Sequence, residues 1–389
     1  MDVNLKISVL DFRTYGVEML LLRRKSDEPL RHRAFKSLKA WSVLPIVLAM
    51  TTLLLPVATA SASSKSSGHH YVVGGSIAAL KLTRLQMLSS QVGVGVAPIT
   101  TYSGQLVRAF LVRTSDGGAS WKITGTFPRE FYPGTTAFTT PQEGYVINGT
   151  QALFTDNAGR TWQKVAVTAG PVGISVYGDI AWIEVEDCQG SNSMQGPCVT
   201  RLESYRVGHL RPFMNTTVPT DQRPLAHVGP TRGYVFGSGG ISGNVYATSN
   251  SGHSWRAIAN PCEQQQITGG SASSATTLFI YCQSGSLGSV NDALFSSSDG
   301  GTTWREITQQ PLNGVLAASG ATGQFLWGFG MDAKLWESSD GGDLWTVAAG
   351  VKFGVSGNIT TYGASDAWHV VVGHGIYRTL DGTTWNLLK

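Results

Sequence analysis

Six short segments of the chain match one octapeptide pattern, Ser/Thr-x-Asp-x-Gly-x-Ser/Thr-Trp, and this repeat constrains the fold more than any other feature. The copies occupy 114–121, 155–162, 248–255, 297–304, 338–345 and 379–385, and the last copy is one residue shorter. Asn replaces Asp in the second and third copies. Self-similarity at a regular spacing indicates that each copy belongs to one supersecondary unit of a repeat architecture.

The residue types in the octapeptide are those of a tight β-turn. A short Asp or Asn side chain accepts hydrogen bonds from backbone N–H groups that follow it, and the Gly two residues later adopts a positive φ without steric cost. The Trp then begins the next strand, and we expect its ring to point inward, because burial of an indole stabilises by about 2–3 kcal/mol. The sequence therefore predicts a structural role for twelve residues: Asp116, Trp121, Asn157, Trp162, Asn250, Trp255, Asp299, Trp304, Asp340, Trp345, Asp381 and Trp385.

The spacing of the motif predicts the number of units. Successive motif tryptophans are 41, 93, 49, 41 and 40 residues apart, so one interval is about twice the others. An aromatic residue in a short apolar run precedes five of the motifs (Tyr145, Tyr234, Phe279, Trp327 and Trp368), and a further one, Trp182, falls within the long interval. We therefore expect a seventh repeat near 164–210, with a diverged turn around Arg201–Arg206. The 327 residues after Ala62 then give about 47 residues per unit, which is typical of a four-stranded propeller blade.

The composition supports this interpretation. Gly is abundant, with 47 residues, only 14% of the chain is charged, and no long amphipathic helical pattern lies beyond residue 62. Apolar or alternating runs such as 144–147, 232–236 and 367–372 are typical of strands. The predicted fold class is all-β, a seven-bladed β-propeller of four-stranded antiparallel blades that spans 73–389.

The octapeptides resemble those of the BNR or Asp-box repeat family, a set of β-propellers that includes sialidases, sortilin-type receptors, xyloglucan-cleaving glycosidases and photosystem II stability and assembly factors. The resemblance covers essentially 73–389. It implies that each Asp box lies at an outer turn between the third and fourth strands of a blade, remote from the ligand face. The seven repeats are most similar in plan to the assembly-factor group.

The same resemblance raises a catalytic alternative. Sialidases have six blades, three arginines that bind the substrate carboxylate, an early Arg-Ile-Pro segment, and a Tyr/Glu pair that serves as nucleophile and base. This chain has no Arg-Ile-Pro segment, and its repeat count favours seven. A sialidase-like glycoside hydrolase is therefore the second hypothesis.

Residues 1–62 have the features of an export signal. Four basic residues between Arg31 and Lys39 precede Trp41–Val57, a stretch without charge, and Ala58-Thr59-Ala60 and Ala60-Ser61-Ala62 follow as candidate cleavage sites. A Ser-rich spacer spans 63–72. An uncleaved membrane anchor is the alternative. Residues 1–40 hold nine Lys/Arg and five Asp/Glu, so the remaining twenty of each sign leave the body neutral and give no indication of nucleic-acid binding.

All four cysteines lie in the body, which suits an oxidising compartment. Two local disulfides are expected, Cys188 with Cys198 and Cys262 with Cys282, and each would stabilise by roughly 3 kcal/mol. The CxxC or Cys/His spacing of a metal site is missing from the sequence. No cofactor or metal is expected.

Several other residues are candidates for binding or modification sites. Glu184 and Glu186 share one face of a predicted strand with Asp187 nearby, which indicates a solvated edge or a site for a cation or a basic partner. His369 and His374 fit a core and a turn position better than ligand positions. The longest insertions, Gln189–Pro197 and Ser284–Val290, lie in connections of the kind that propellers use for recognition. Asn148, Asn215 and Asn358 begin glycosylation sequons, and Arg211 with Arg223 could form a basic patch.

The expectation from the sequence is an exported, monomeric, non-catalytic propeller, secreted or held at the cell surface, that binds a protein or glycan through a face lined by loops. Binding to nucleic acid is not expected, and contact with a membrane is expected only through an uncleaved leader.

Overall fold

The computed structural model describes residues 82–100, 106–188, 198–218, 225–237, 244–262, 265–284, 291–307, 315–330, 334–351, 357–371 and 374–388. The leader, the Ser-rich spacer, Arg223 and the insertion Gln189–Pro197 lie outside the described residues, as does 285–290 of the second insertion. Within the described ranges there is no helix long and apolar enough to cross a membrane.

The described residues form seven four-stranded antiparallel sheets, here called blades 1 to 7, and this confirms the predicted fold class. The strands of blades 1 to 3 are β1 (Arg84–Met87), β2 (Gly93–Thr100), β3 (Leu106–Thr114), β4 (Lys122–Thr126), β5 (Thr136–Phe138), β6 (Gly144–Ile147), β7 (Ala152–Thr155), β8 (Gln163–Val165), β9 (Gly170–Tyr177), β10 (Ile180–Cys188), β11 (Cys198–Arg206) and β12 (Met214–Thr217).

Blades 4 to 7 repeat the same order of strands. Their strands are β13 (Leu225–His227), β14 (Gly233–Phe236), β15 (Val245–Thr248), β16 (Arg256–Ile258), β17 (Gln266–Ala272), β18 (Leu278–Ser284), β19 (Asn291–Ser297), β20 (Arg305–Ile307), β21 (Val315–Ser319), β22 (Leu326–Phe329), β23 (Leu335–Ser338), β24 (Thr346–Val347), β25 (Gly357–Tyr362), β26 (Asp366–Val371), β27 (Gly375–Thr379) and β28 (Asn386–Leu388).

The first strand of each blade contacts the first strands of both neighbouring blades, so these seven strands form a closed inner ring. Strands within a blade alternate in direction. The first-to-second and third-to-fourth connections therefore lie on one face of the ring. The six octapeptides lie in third-to-fourth connections, and we use Asp box only as a name for these segments, so this face is called the Asp-box face. The second-to-third connections and those between blades lie on the opposite face, here called the loop face.

The core lies between the blades. On each second strand one large aromatic or aliphatic side chain packs toward the next blade and its neighbour in sequence packs toward the preceding one, as the period of two requires. The recurrent aromatics Tyr145, Trp182, Tyr234, Phe279, Trp327 and Trp368 all lie on second strands and are buried. They are therefore core residues rather than a surface for stacking sugars.

The ring closes between blades 7 and 1 without exchange of a strand, because each blade is built from four consecutive strands. Side chains connect the edges of the inner strands instead. The Leu85 N–H donates to Asn358 Oδ1 (3.1 Å) and the Met87 N–H donates to Thr360 Oγ1 (3.4 Å) across this junction. On the other side of β1, Gln86 Nε2 donates to the Phe138 carbonyl (3.0 Å) and Gln86 Oε1 accepts from the Phe138 N–H (2.8 Å).

Blade 3 is the unit that carries no octapeptide, and it corrects one detail of the sequence interpretation. Arg201–Arg206, which we expected to hold the diverged turn, lies inside β11, and the connection to the fourth strand follows at 207–213. The reason is that β10 and β11 are nine residues long and paired throughout, from Ile180 with Arg206 to Cys188 with Cys198. The turn is therefore displaced to the Asp-box end of this longer hairpin.

Candidate functional site

The six Asp boxes lie between the third and fourth strands of blades 1, 2, 4, 5, 6 and 7, and their Asp or Asn side chains bond within their own turns. In the first box, Asp116 Oδ1 accepts from the Ser120 N–H (2.8 Å) and from Thr114 Oγ1 (2.7 Å), whose hydroxyl oxygen accepts from the Gly118 N–H (2.9 Å). The corresponding bonds to Asn157, Asn250, Asp299, Asp340 and Asp381 recur in the other boxes.

These bonds favour the ionised carboxylate. The backbone and side-chain bonds from Thr303 hold the pKa of Asp299 at about 2, below its ordinary value. Bonds from the backbone of Thr384 and Thr383 lower the pKa of Asp381 further. The acids of the motif are thus occupied by backbone donors and are poorly suited to proton transfer near neutral pH.

The motif tryptophans divide into two sets, which revises the expectation that all point inward. Trp121, Trp345 and Trp385 are buried, whereas Trp162, Trp255 and Trp304 are half-buried. The half-buried Trp162 and Trp304 lie against the end of the outer strand of the preceding blade, where their Nε1–H groups donate to the Thr126 (2.9 Å) and Ala259 (2.9 Å) carbonyls. One side of each ring therefore remains open to solvent.

The second-strand aromatics connect neighbouring blades through their polar atoms. Trp368 Nε1–H donates to the Gly117 carbonyl (2.8 Å) and Trp327 Nε1–H donates to the Gly382 carbonyl (3.1 Å), in each case in the Asp box of the next blade. The hydroxyl of Tyr145 donates to the Arg206 carbonyl (3.4 Å) in blade 3, and that of Tyr234 donates to the Ala275 carbonyl (2.5 Å) in blade 5. We call the contact between two adjacent blades a seam.

Three glutamates are buried, and the sequence alone did not distinguish them from surface acids. They are Glu203, Glu184 and Glu337. Glu203 accepts from the Thr168 N–H (3.0 Å), Asn215 Nδ2 (3.3 Å) and the Tyr205 hydroxyl (2.5 Å), so it connects the third blade to the segment before it. Burial and the bond to Glu203 raise the pKa of the Tyr205 phenol.

The second of these, Glu184, is buried, so the predicted solvated edge is wrong at this residue. Its carboxylate lies over Gly173, where an added Cβ would be only 2.7 Å from Oε2. Glu186 and Asp187 are half-buried. No cluster of three or more potential metal ligands occurs among the described residues.

Glu337 lies in the seam between blades 6 and 7. Its Oε2 accepts from Trp385 Nε1–H (2.8 Å). Burial raises the pKa of Glu337 to about 7, the bond from Trp385 opposes this shift, and Asp381 adds to it. His369, which we expected in the core, is fully buried in blade 7, with its ring 5.3 Å from Phe329 and 6.4 Å from Trp385.

Both expected disulfides are present. Cys188–Cys198 joins directly opposed residues of β10 and β11 on the loop-face side of blade 3, and Cys262–Cys282 joins β18 to the segment before β17. Such bonds are consistent with an extracytoplasmic location. Of the sequon residues, Asn215 and Asn358 make the structural bonds described above, and Asn148 Oδ1 accepts from the Thr150 N–H (3.1 Å) in a hairpin turn.

An anchored segment on the loop face, 127–135, connects blades 1 and 2 and is the candidate binding element. Phe127 and Phe131 are buried, with ring centroids 5.9 Å apart, and Phe127 also stacks on Trp162 at 4.7 Å. The Phe131 N–H donates to the Pro128 carbonyl (3.1 Å), which closes a β-turn whose third residue is Glu130. We call this segment the anchored loop.

The tip of the anchored loop is strained and exposed. Glu130 has a φ of 70°, a conformation usually taken by Gly at this turn position. Among the described residues it is the one non-glycine with positive φ outside the Asp boxes. Tyr132 is 53% exposed, and Val107 at the start of β3 is 56% exposed. The loop itself carries the charged residues Arg129 and Glu130, and Arg84 Nε donates to the Gly134 carbonyl (3.2 Å).

Sequence reasoning missed this loop because it contains no repeat. The signal was nevertheless in the sequence, where two Phe residues four apart are followed by Tyr132-Pro133-Gly134 in a connection longer than that between blades 2 and 3. Backbone strain at an exposed residue such as Glu130 supports a functional hypothesis, because strained residues cluster at functional sites.

Comparison of the sequence with family models and with curated proteins gives no match. Comparison of the structure gives several. The structure "YCF48 bound to D1 peptide" matches with a TM-score of 0.53 at 14% identity, over 79% of this chain and 95% of that one.

Longer proteins match over part of their length. The GH74 xyloglucanase from Xanthomonas campestris has a TM-score of 0.51 at 14% identity, over 82% of this chain and 55% of that one. A Pyrococcus horikoshii acylaminoacyl peptidase has a TM-score of 0.55 at 10% identity, over 80% of this chain and 52% of that one. This chain spans about half the length of these two enzymes, and identities this low show the shared propeller fold alone.

Proposed function

We propose that this chain is an exported, non-catalytic β-propeller that binds a protein partner on its loop face. The observation that carries the proposal is the anchored loop, in which two buried Phe side chains hold an exposed Tyr132 and a strained Glu130 in a fixed position. An exposed Tyr on a rigid segment presents a large contact area at little entropic cost, as binding surfaces require.

Two further observations support this function. The acids that the repeat motif supplies bond to backbone N–H groups on the opposite face, and Glu203 bonds to neighbouring side chains in the interior. In addition, one protein of similar fold, matched over 95% of its own length, was solved with a peptide bound. A peptide is accordingly the partner class favoured over a glycan.

The experiment that tests this proposal is selection of a random phage-displayed peptide library against the purified protein, with Tyr132→Ala as the test variant. We expect Tyr132→Ala to lower the affinity of the protein for the selected peptides by at least about tenfold, because loss of an interface Tyr commonly costs over about 1.4 kcal/mol of binding free energy. The matched control is Tyr362→Ala. Tyr362 is 44% exposed but ends β25 on the Asp-box face, so its loss should leave binding unchanged.

The opposite pattern, in which Tyr362→Ala abolishes binding and Tyr132→Ala does not, would place the binding site on the Asp-box face and contradict the proposal. A sialidase-like or polysaccharide-cleaving activity is the second candidate, and the GH74 neighbour supports it at the level of fold alone. Turnover of fluorogenic sialosides or of a polysaccharide panel by the purified protein would replace the proposal with that candidate.

A further inference from the structure

Among the described residues, the seam between blades 3 and 4 contains several buried polar atoms without a hydrogen-bond partner. Four such atoms are Trp182 Nε1, Ser204 Oγ, Thr200 Oγ1 and Trp255 Nε1. Trp182, Thr200 and Ser204 are each at least 98% buried. A buried donor or hydroxyl left without a hydrogen bond costs about 1–3 kcal/mol, so four in one seam would be a large penalty.

These four residues belong to one surface. Trp182 and Ser204 are directly opposed across β10 and β11, and Thr200 lies on the same face of β11 as Ser204. That face points toward blade 4, since the Trp182 ring stacks on His227 of β13 at 3.8 Å, with 7° between the planes. Trp255, in the Asp box of blade 4, approaches Trp182 edge-on at 6.4 Å.

Most indole N–H groups at corresponding positions in other seams have partners, and among the described residues Trp345 Nε1 in blade 6 is the exception. The indole N–H groups of Trp327 and Trp368, which occupy the same strand position as Trp182, donate to carbonyls in the next Asp box. Trp162 and Trp304, which occupy the same motif position as Trp255, donate to the preceding blade. In the 3/4 seam, the Trp182 ring stacks on His227 instead. The ring also lies close to Gly233, where an added Cβ would collide with it. These two contacts fix the indole in a different environment.

The chemistry of these groups defines what can satisfy them. Indole N–H groups only donate, so they cannot bind a cation, and the hydroxyls of Ser204 and Thr200 can donate or accept. The ring of His227 supplies no positive charge at neutral pH, because burial lowers its pKa to about 4, with the Gly229 backbone opposing this shift. A neutral hydrogen-bond acceptor remains.

We propose that the 3/4 seam is a hydration site, in which at least one ordered water accepts a hydrogen bond from Trp182 Nε1–H and bonds to Ser204 Oγ. Buried waters of this kind bond to about three otherwise unsatisfied polar groups and belong to the folded structure. The water takes the role that an Asp-box carbonyl has for Trp327 and Trp368. At the position of Trp182 the 3/4 seam is then bridged by solvent, whereas the 6/7 and 7/1 seams have a direct indole–carbonyl bond at the same strand position.

The test measures contact with water and stability in the purified protein. Magnetisation transfer between water and the indole N–H groups is recorded by NMR, with Trp182→Phe to assign the resonance. We expect a long-lived water contact at the Trp182 indole and none at that of Trp368. We also expect Ser204→Ala to lower the melting temperature by about 2 °C, because the water loses a partner.

The change in melting temperature caused by Ser204→Ala is different if the seam contains no water. Ser204→Ala would then remove an unsatisfied hydroxyl, and the melting temperature would stay constant or rise. Ser338→Ala is the control, because Ser338 Oγ accepts from the Gly342 N–H (2.9 Å) and donates to Asp340 (2.8 Å), so its loss must destabilise in either case. If Trp182→Phe fails to fold, the indole resonance is assigned by selective labelling. Either a dry Trp182 indole or an undiminished melting temperature of Ser204→Ala overturns the proposal.

Discussion

The seam between blades 7 and 1 and the seam between blades 3 and 4 have the same architecture but satisfy their polar groups in opposite ways. At the 7/1 seam, Arg378 makes two bonds to Asp366 (3.0 and 2.9 Å), donates to the Ser90 carbonyl of blade 1 (2.9 Å), and lies 4.6 Å from the ring of Trp368. Trp368 in turn donates to Gly117. At the 3/4 seam, Thr216 Oγ1 donates to the Gly252 carbonyl (2.7 Å), while the four atoms described above have no partner within the part of the chain that the structure describes.

The difference follows from the path of the chain. Blades 3 and 4 are consecutive in sequence, so the backbone holds them together even where side chains do not pair. Blades 7 and 1 lie at opposite ends of the propeller, and no strand crosses between them. Among the described residues, the hydrogen bonds that close the ring between these two blades involve side chains. Direct bonds also cross seams between consecutive blades, such as that from Trp327 to Gly382, but there they add to the continuity of the chain.

The largest expected effect is at the closing seam. We predict that Arg378→Ala lowers the free energy of unfolding by about 3 kcal/mol, because Asp366 would be left largely buried without its cation. The pair is only 14% exposed on each side. Denaturant titration measures the loss.

A matched control exists in blade 3, where Arg206 and Asp179 form an ion pair with exposures of 62% and 77%. Arg206→Ala should change stability by less than about 1 kcal/mol, as is usual for exposed pairs. Equal losses in the two variants would contradict the special role of the 7/1 seam.

The 6/7 seam is intermediate, since it has a satisfied indole and an unfavourable carboxylate, and Glu337→Gln tests it. Burial raises the folded-state pKa of Glu337 to about 7, above the ordinary value of 4.5 for a glutamate. Between these values the unfolded chain releases a proton that the folded chain retains, so the stability of the wild type falls as the pH rises from about 4.5 to about 7. A Gln at this position does not titrate, and its amide oxygen can still accept from Trp385.

We compare the free energy of unfolding of Glu337→Gln with that of the wild type. We predict that the difference, variant minus wild type, is about 2 kcal/mol larger at pH 8 than at pH 4. Urea titrations at the two pH values measure this difference. Asp343→Asn, which changes an exposed acid of the same blade, should show no comparable dependence. A constant difference between Glu337→Gln and wild type at all pH values would show that this carboxylate is solvated.

The sequence predicted the fold because its strongest signals are local. Asp116, Ser120 and Gly118 build a turn from residues within a few positions of each other, and six such turns at blade spacing leave few architectures open. Cys188 and Cys198 are likewise close in sequence. The diverged turn of blade 3 was misplaced because it depends on the length of the β10–β11 hairpin.

The seams were beyond sequence reasoning because they depend on residues that are distant in the chain. Whether Trp182 bonds to an Asp box or stacks on His227 is decided by contact with a residue 45 positions later. Glu184 looked like a surface acid because alternation along the strand shows which face it shares and not what covers that face. The half-burial of Trp304 depends on the strand end of the preceding blade. The anchored loop was missed for a different reason, since it belongs to no repeat.

The smallest predicted effect compares one backbone position in the two seams. Gly117 in the first Asp box and Ser251 in that of blade 4 both follow the motif Asp or Asn, with φ of 71° and 61°. At Gly117 an added Cβ would collide with Arg378 Nη1 and lie 3.0 Å from the Ser90 carbonyl oxygen, so a side chain there would disturb the bonds of Arg378 to Asp366 and Ser90. At Ser251 a side chain is accommodated at the cost of backbone strain, and its hydroxyl donates to the Pro230 carbonyl (3.2 Å).

We therefore predict that Ser251→Gly changes the free energy of unfolding by no more than about 0.5 kcal/mol, because relief of the positive φ offsets the lost bond and the greater entropy of the unfolded chain. The reciprocal change, Gly117→Ser, must destabilise, since it adds both strain and a collision with Arg378. Denaturant titration of the two variants measures the asymmetry. If Gly117→Ser proved as mild as Ser251→Gly, the closing seam would have the same tolerance as the 3/4 seam, and the contrast between them would rest on hydrogen bonding alone.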